Sequence, residues 1–203
     1  MRPFEKYKNK NNIELAMFPL EYLYITQGED GAFSHKGTYA IDFAGRDFRG
    51  TVTRCPYYAP FDMKLVAIPD PSNHAYVYTS LEKVQCVTGD YDYVTILVAH
   101  DDDSYQVGRI VYQGGLLGHT GTYGNVTGDH VHMEIKLGTY NGLVQNQYGI
   151  YMLRNSTHIW LLLGCNDTIV EHGLNYDWRL FSDVVKRKKF PWFIYYAKYA
   201  MEG

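Results

Sequence analysis

A mostly β, antiparallel domain is the fold class that this sequence predicts. Three observations lead there. The chain carries 20 Tyr and 19 Gly in 203 residues, it breaks into short alternating segments bounded by turn residues, and no helix-length amphipathic stretch precedes residue 140. β-branched and aromatic residues fit a pleated, half-buried surface, and closely spaced Gly, Pro, Asn and Asp leave room for strands rather than helices.

The elements follow in order. Residues 1–20 are polar, then mixed, and read as an N-terminal arm. The stretch 21–26 (EYLYIT) is rich in β-formers, and 27–36 (QGEDGAFSHK) is a loop punctuated by glycine. Alternation makes 38–43 (TYAIDF) a strand; 57–68 (YYAPFDMKLVAI) turns at Ala59-Pro60 and continues as a strand through Leu65 and Ala67. Residues 70–73 (DPSN) form a loop. The strands 84–87 and 93–100 (YVTILVAH) are split by a turn at Thr88-Gly89-Asp90. A short extended piece at 109–112 leads into a glycine-dense loop, 114–128, and then a strand, 130–136 (HVHMEIK). After Gly138 the texture changes. Residues 141–155 are strand-and-turn material, 159–163 (IWLLL) is too short to separate strand from helix, and 176–185 fits a short helix. The end, 186–199 (KRKKFPWFIYYAKY), is basic and then aromatic.

Composition narrows the function classes. At 46% hydrophobic and 20% charged the chain can bury a core, which sets it apart from disordered proteins. A net charge of -3 is no nucleic-acid footprint, which would be a basic face. No run approaches the ~20 apolar residues of a membrane span. Cys55, Cys86 and Cys165 are an odd set without a CxxC pair, so they read as reduced thiols and not as a disulfide frame or a thiolate zinc site. No apolar stretch follows the basic residues of the first ten, so the expectation is a chain made in the cytoplasm without a signal peptide, or one whose start has been removed.

Four features carry chemistry. In His130-Val131-His132 the two imidazoles stand at i and i+2, on one face of a strand. Alone this is weak, and a solvated polar face is the plain alternative. His35 is followed by Asp42, a carboxylate set among Ala40, Ile41, Phe43 and Ala44, where it is costly unless paired or metal-bound. A catalytic zinc wants three protein ligands, commonly two His and a carboxylate, with one position left open, and His35, Asp42 and His132 would supply that set. A loop His and an Asp capping a turn is the alternative. His100 ends an apolar strand and by itself reads as structural. Seven glycines lie between Gly108 and Gly128, with no GK[ST] after them, so this is no phosphate loop. They permit tight turns and close backbone approach, or simply make a surface loop.

Taken together, these pieces resemble the lysostaphin/LytM-type family of zinc endopeptidases. His35, Asp42, 59–65 (APFDMKL), His100, the glycine stretch 107–128 and 130–134 (HVHME) stand in the family's order over roughly residues 21–138. The wording ITQGEDGAFSHKGTYAIDFAG further resembles members found in phage tails of Gram-positive hosts. Two departures are visible. Six residues separate His35 from Asp42 where three are usual, so the loop must bulge, and Met63 stands where a turn glycine is common.

The resemblance implies an antiparallel β peptidase domain spanning 21–182, a C-terminal extension included. It implies Zn2+ held by His35, Asp42 and His132, and catalytic roles for His100 and His130 as general base and as stabiliser or acid, in an order the sequence does not give. Glu134 becomes an orienter of His132, with a solvated carboxylate as the alternative. The implied substrate is the peptide stem or cross-bridge of bacterial peptidoglycan. The implied partners are other phage tail proteins, and the implied place is the virion tail, acting on the host wall from outside. The rival reading is an inert family member serving as a structural or wall-binding virion module; such members lose zinc ligands, and here none is lost. His74, His119, His158 and His172 match no family position. Residues 183–203 are expected to form a docking or linker segment, against self-packing and a membrane-surface anchor, the last weakened by Pro191.

Overall fold

The computed structural model describes residue 12 and residues 23–47, 50–86 and 88–162. The 1–20 arm apart from Asn12, the helix expected at 176–185, the 183–203 segment, Cys165 and His172 lie outside the described residues. In chain order the elements are β1 (Leu23–Gln27), β2 (Ile41–Asp47), β3 (Gly50–Val52), β4 (Pro56–Tyr58), β5 (Met63–Asp70), β6 (Ala75–Ser80), β7 (Val84–Gln85), β8 (Tyr91–Asp92), β9 (Val94–Ala99), β10 (Ile110–Val111), β11 (Leu116–His119), β12 (Val131–Leu137), β13 (Leu143–Gln145), β14 (Tyr151–Leu153) and α1 (Ile159–Leu162). The fold is mostly antiparallel β, as the turn spacing predicts.

One eight-stranded sheet organises the molecule, in the order β1-β2-β12-β9-β6-β5-β10, with β3 also on β2. Every described pairing is antiparallel. β12 inserts between β2 and β9, and this joins the start of the chain to its middle. Beyond Met133 its β2 side is taken over by an isolated bridge from Thr157 to Ile135.

The period-2 alternation of strands sorts the side chains between two faces. Ile41 and Phe43 of β2, Tyr76 and Tyr78 of β6, Ile96 and Val98 of β9, and Val131, Met133 and Ile135 of β12 enter the main core. Phe61, Met63 and Leu65 join them, and α1 closes over the same cluster with Ile159 and Leu162. Each fully buried side chain of this size contributes about 1.5–3 kcal/mol. The opposite face carries a smaller cluster of Ala75, Val77, Leu97, Ala99 and Leu153. Asp42, His132 and Glu134 stand on that second face. Cys55 and Cys86 are buried in the core.

Several boundaries differ from the sequence reading. β6 is an additional strand, buried at all six positions, so it shows no apolar/polar alternation to detect. β11 lies inside the stretch read as a glycine loop, where it pairs with β4. Residues 38–40 belong to the loop before β2, and within 84–86 the strand is the two residues of β7, Val87 lying outside the described residues. Of the 159–163 run, Ile159–Leu162 resolves as helix, and Leu163 lies outside the described residues. His130 precedes β12 and bridges to Gly121.

Candidate metal centre and its groove

Strand register builds the centre. Asp42 on β2 and His132 on β12 are directly opposed partners, and Ala99 on β9 opposes His132 from the other side. His132 is therefore flanked by Asp42 on one strand and by the end of β9, with His100 next in line, on the other. The third member arrives on the loop between β1 and β2. That loop folds on itself through Asp30 N to Thr38 O at 3.1 Å, His35 N to Gly31 O at 3.1 Å and Thr38 N to His35 O at 2.8 Å. The Asp30 carboxylate accepts from Gly37 N at 2.8 Å and from Lys36 at 3.2 Å. These bonds form the bulge that the six-residue spacing requires, and they drive His35 inward until it is 0% exposed.

Three donor atoms then face one another. His35 Nε2 lies 3.1 Å from His132 Nδ1 and 3.1 Å from Asp42 Oδ1, and His132 Nδ1 lies 3.1 Å from Asp42 Oδ1. A tetrahedral zinc with ligand bonds of about 2.0–2.1 Å has ligand–ligand edges of about 3.3 Å. The triangle fits one face of such a tetrahedron and leaves the fourth corner toward the groove. Among the described residues this is the one group of metal-ligating side chains so arranged.

The surrounding bonds fix both tautomers. His35 Nδ1 donates to the Gly28 carbonyl at 3.1 Å, so its Nε2 lone pair points inward. His132 Nε2 donates to Glu134 Oε1 at 3.3 Å, so in the neutral ring the Nδ1 lone pair points inward. Glu134 is 1% exposed and its second oxygen accepts from Leu153 N at 2.7 Å. It orients His132 and is no solvated carboxylate. Gln27 plays a similar part for Asp42, donating to Oδ2 at 3.2 Å; the sequence reading placed Gln27 in a loop and gave it no role. Burial would raise the Asp42 pKa, but the neighbouring His132 and His35 imidazoles hold it well below the carboxylate range. Burial would lower the His132 pKa, yet Asp42 and Glu134 push it up to about 10.

His100 and His130 flank this triangle, with ring centroids 4.9 Å apart. His130 Nε2 is 3.8 Å from Asp42 Oδ2. Each ring has its Nδ1–H tied to a loop carbonyl, His100 to Tyr123 at 2.7 Å and His130 to Gly128 at 2.8 Å. Burial lowers the His100 pKa to about 4. All five residues singled out from the sequence thus meet, and they line one groove of about 1060 Å³, apart from His35, which lies beneath it. The glycine stretch forms its wall by close approach. A Cβ at Gly121 would lie 2.4 Å from the His100 carbonyl oxygen, and one at Gly118 would strike the Asp101 carboxylate. His158 pairs with Glu29 at 2.7 Å and His119 with Asp103 at 2.6 Å, away from the triangle.

No profile of a known protein family matches the chain. Morphogenesis protein 1 of Bacillus phage B103 is 39% identical over 174 residues, which are 85% of this chain and 46% of that protein. The chain spans about half the length of that curated relative. Among solved structures, a zinc-containing peptidase from Vibrio cholerae is 19% identical, covering 65% of this chain and 43% of its own, with a TM-score of 0.43. The M23 metalloprotease pseudoalterin, from the deep sea, is 16% identical, covering 77% and 86%, with a TM-score of 0.41. The catalytic domain of lysostaphin from Staphylococcus simulans is 19% identical, covering 68% and 90%, with a TM-score of 0.38. Values of this size carry no function across. The chain resembles lysostaphin/LytM-type peptidases in motif order, and a phage morphogenesis protein in sequence.

Proposed function

We propose that this chain is a zinc-dependent endopeptidase of the lysostaphin/LytM type that hydrolyses peptide cross-links of bacterial peptidoglycan as a wall-degrading component of a phage tail. The observation that carries the reading is the triangle of His35, Asp42 and His132, with edges of 3.1 Å and with the other ring nitrogen of each imidazole tied away from it, to the Gly28 carbonyl and to Glu134. An ordinary polar cluster would not need to present three acceptors to one point, because acceptors crowded together repel unless a cation or proton joins them. The phage relative's name supports the virion setting. Among the described residues, no helix is long and apolar enough to cross a membrane.

Zinc held by the three ligands would polarise the scissile carbonyl and make water a nucleophile near neutral pH. The chain's own residues do the rest. The groove floor formed by β9 and β12 receives an extended peptide alongside the ligands. His100, neutral at pH 7 and tied through Nδ1, offers an unprotonated Nε2 that can take a proton from the attacking water. His130, tied the same way beside Asp42, is placed to hold or return a proton at the leaving amine. Burial of His35 and Glu134 keeps water away from the back of the site.

The test is metal analysis of the purified chain together with product analysis on purified peptidoglycan. One zinc per chain and new amino termini without new reducing sugars are expected. A zinc-loaded chain that releases no amines would support the rival reading of an inert virion module.

A further inference from the structure

Neither His74 nor the turn that carries it has a role in the reading above. It follows the 3-10 turn Pro71–Asn73 between β5 and β6, with a left-handed φ of 45°. Its ring lies flat on Tyr123, with centroids 3.6 Å apart and planes 13° from parallel. Its Nδ1–H donates to the Asp101 carbonyl at 2.8 Å. Tyr123 is the residue whose carbonyl accepts the His100 Nδ1–H, and Asp101 is the residue that follows His100. The His74 ring therefore joins the two pieces of chain that hold the His100 imidazole.

Asn73 adds two further ties. Its carbonyl accepts the His100 backbone N–H at 2.8 Å, and its Oδ1 accepts Asn125 N–H at 3.3 Å. Between Tyr123 and Asn125, Gly124 has φ +87°, and a Cβ there would lie 1.7 Å from Asn73 Oδ1. Loop and turn are in contact at the one residue type that permits it. His100 needs such support. Its φ of 67° is left-handed, a conformation that is strained for a residue with a side chain. Conformations of this kind persist where the surroundings over-determine them, and they gather at functional sites.

We propose that the β5–β6 turn is a positioning element, which through Asn73 and His74 fixes the tautomer and orientation of the His100 ring. The proposal rests on the hydrolytic reading of the groove for its consequence, though not for its geometry. His74 acts through Tyr123 and Asp101, so it is a positioning residue. Without the stacked ring, the Tyr123 carbonyl loses its anchor and the His100 Nδ1–H loses its fixed acceptor. The imidazole then populates the Nε2–H tautomer, which presents a proton to the groove where a lone pair is needed.

The experiment uses the full chain with zinc bound, as wild type, His74→Ala, His74→Phe and Tyr123→Ala. Ring-nitrogen NMR reads the His100 tautomer, metal analysis reads zinc, and steady-state kinetics on soluble peptidoglycan fragments separates kcat from KM. Wild type should show the Nδ1–H tautomer alone. His74→Ala and Tyr123→Ala should show a mixture, with zinc and KM unchanged and kcat about 10–100-fold lower, short of the ~10²–10⁴ expected for removing a proton-transfer group. His74→Phe keeps the stacked ring and should recover most of both readings. A single Nδ1–H tautomer and unchanged kcat in His74→Ala would overturn the proposal, as would zinc lost in step with kcat. Should His74→Ala not fold, Tyr123→Ala and His74→Phe decide the matter by the same readings. A wild type that hydrolyses nothing would remove the hydrolytic reading, and the tautomer comparison would still judge the positioning.

Discussion

His132 is held between two carboxylates, and this sets the pH behaviour of the centre. Burial disfavours its cation, but Asp42 and Glu134 raise its pKa to about 10, against an ordinary value of 6.5. A raised folded-state pKa gives stability that is fully present below about 6.5 and is lost as pH rises through about 10. Without zinc, the melting temperature is expected to fall between pH 7 and 10, whereas zinc, which takes the proton's place, should remove most of that slope. Calorimetry on both forms checks this, and equal slopes would count against a shared site. Substitution separates the roles further. His132→Ala should lose zinc and activity together; His130→Ala should keep zinc and lose about 10²–10⁴-fold in kcat. Full zinc and full activity in both would end the assignment. At this scale the sequence was readable where chemistry follows local period: HVH on one strand face and a carboxylate in an apolar strand. It was not readable for Gln27 and His74, because their partners are distant in the chain, and Glu134 became unambiguous only through its bond to Leu153.

Two elements hold the centre's walls. The glycine density of 107–128 was visible in the sequence, but its purpose was not, since a glycine needed for flexibility and one needed for close approach look alike in a string of letters. Gly121 is of the second kind, with a Cβ site 2.4 Å from the His100 carbonyl and 2.6 Å from Asp102 N. Gly121→Ala is expected to cost about 1–3 kcal/mol by overpacking, read as a lower urea midpoint, and to reduce kcat while zinc stays bound. The β13–β14 hairpin forms the other wall. Asn146 Nδ2 donates to the Lys36 carbonyl at 2.8 Å, and its Oδ1 accepts from Tyr148 N and Ile150 N at 2.9 and 3.1 Å. One amide thus shapes the hairpin and clasps the loop that bears His35. Asn146→Ala should weaken zinc binding and lower stability by about 0.5–1.5 kcal/mol, the net worth of an ordinary hydrogen bond, since its partners are exposed or half-buried. Chelator competition and thermal melting measure the two effects, and zinc affinity unchanged in a destabilised protein would show that the clasp does not reach His35.

For the molecule as a whole, the sheet and its two faces followed from alternation, whereas β6 did not, because a strand buried on both sides carries no alternating signal. The segment after Gly138 bears on the centre through Leu153 N to Glu134, Asn146 to Lys36 and Gly37, and His158 to Glu29. A chain ended at Gly138 is therefore expected to bind zinc weakly or not at all, which metal analysis on the truncated and full chains would reveal; full retention would make the hairpin an ornament. The insertion of β12 between β2 and β9 also has a temporal side. His132 emerges 90 residues after its partner Asp42, so a growing chain has no complete place for the ion until β12 is made. Sheets closed by such distant pairings form slowly, because the intervening loop must be ordered before the contact rewards it. In refolding, metal capture should accordingly trail the burial of the tyrosines, and a stopped-flow trace following both would show a centre that stays unformed until its last central strand is laid in.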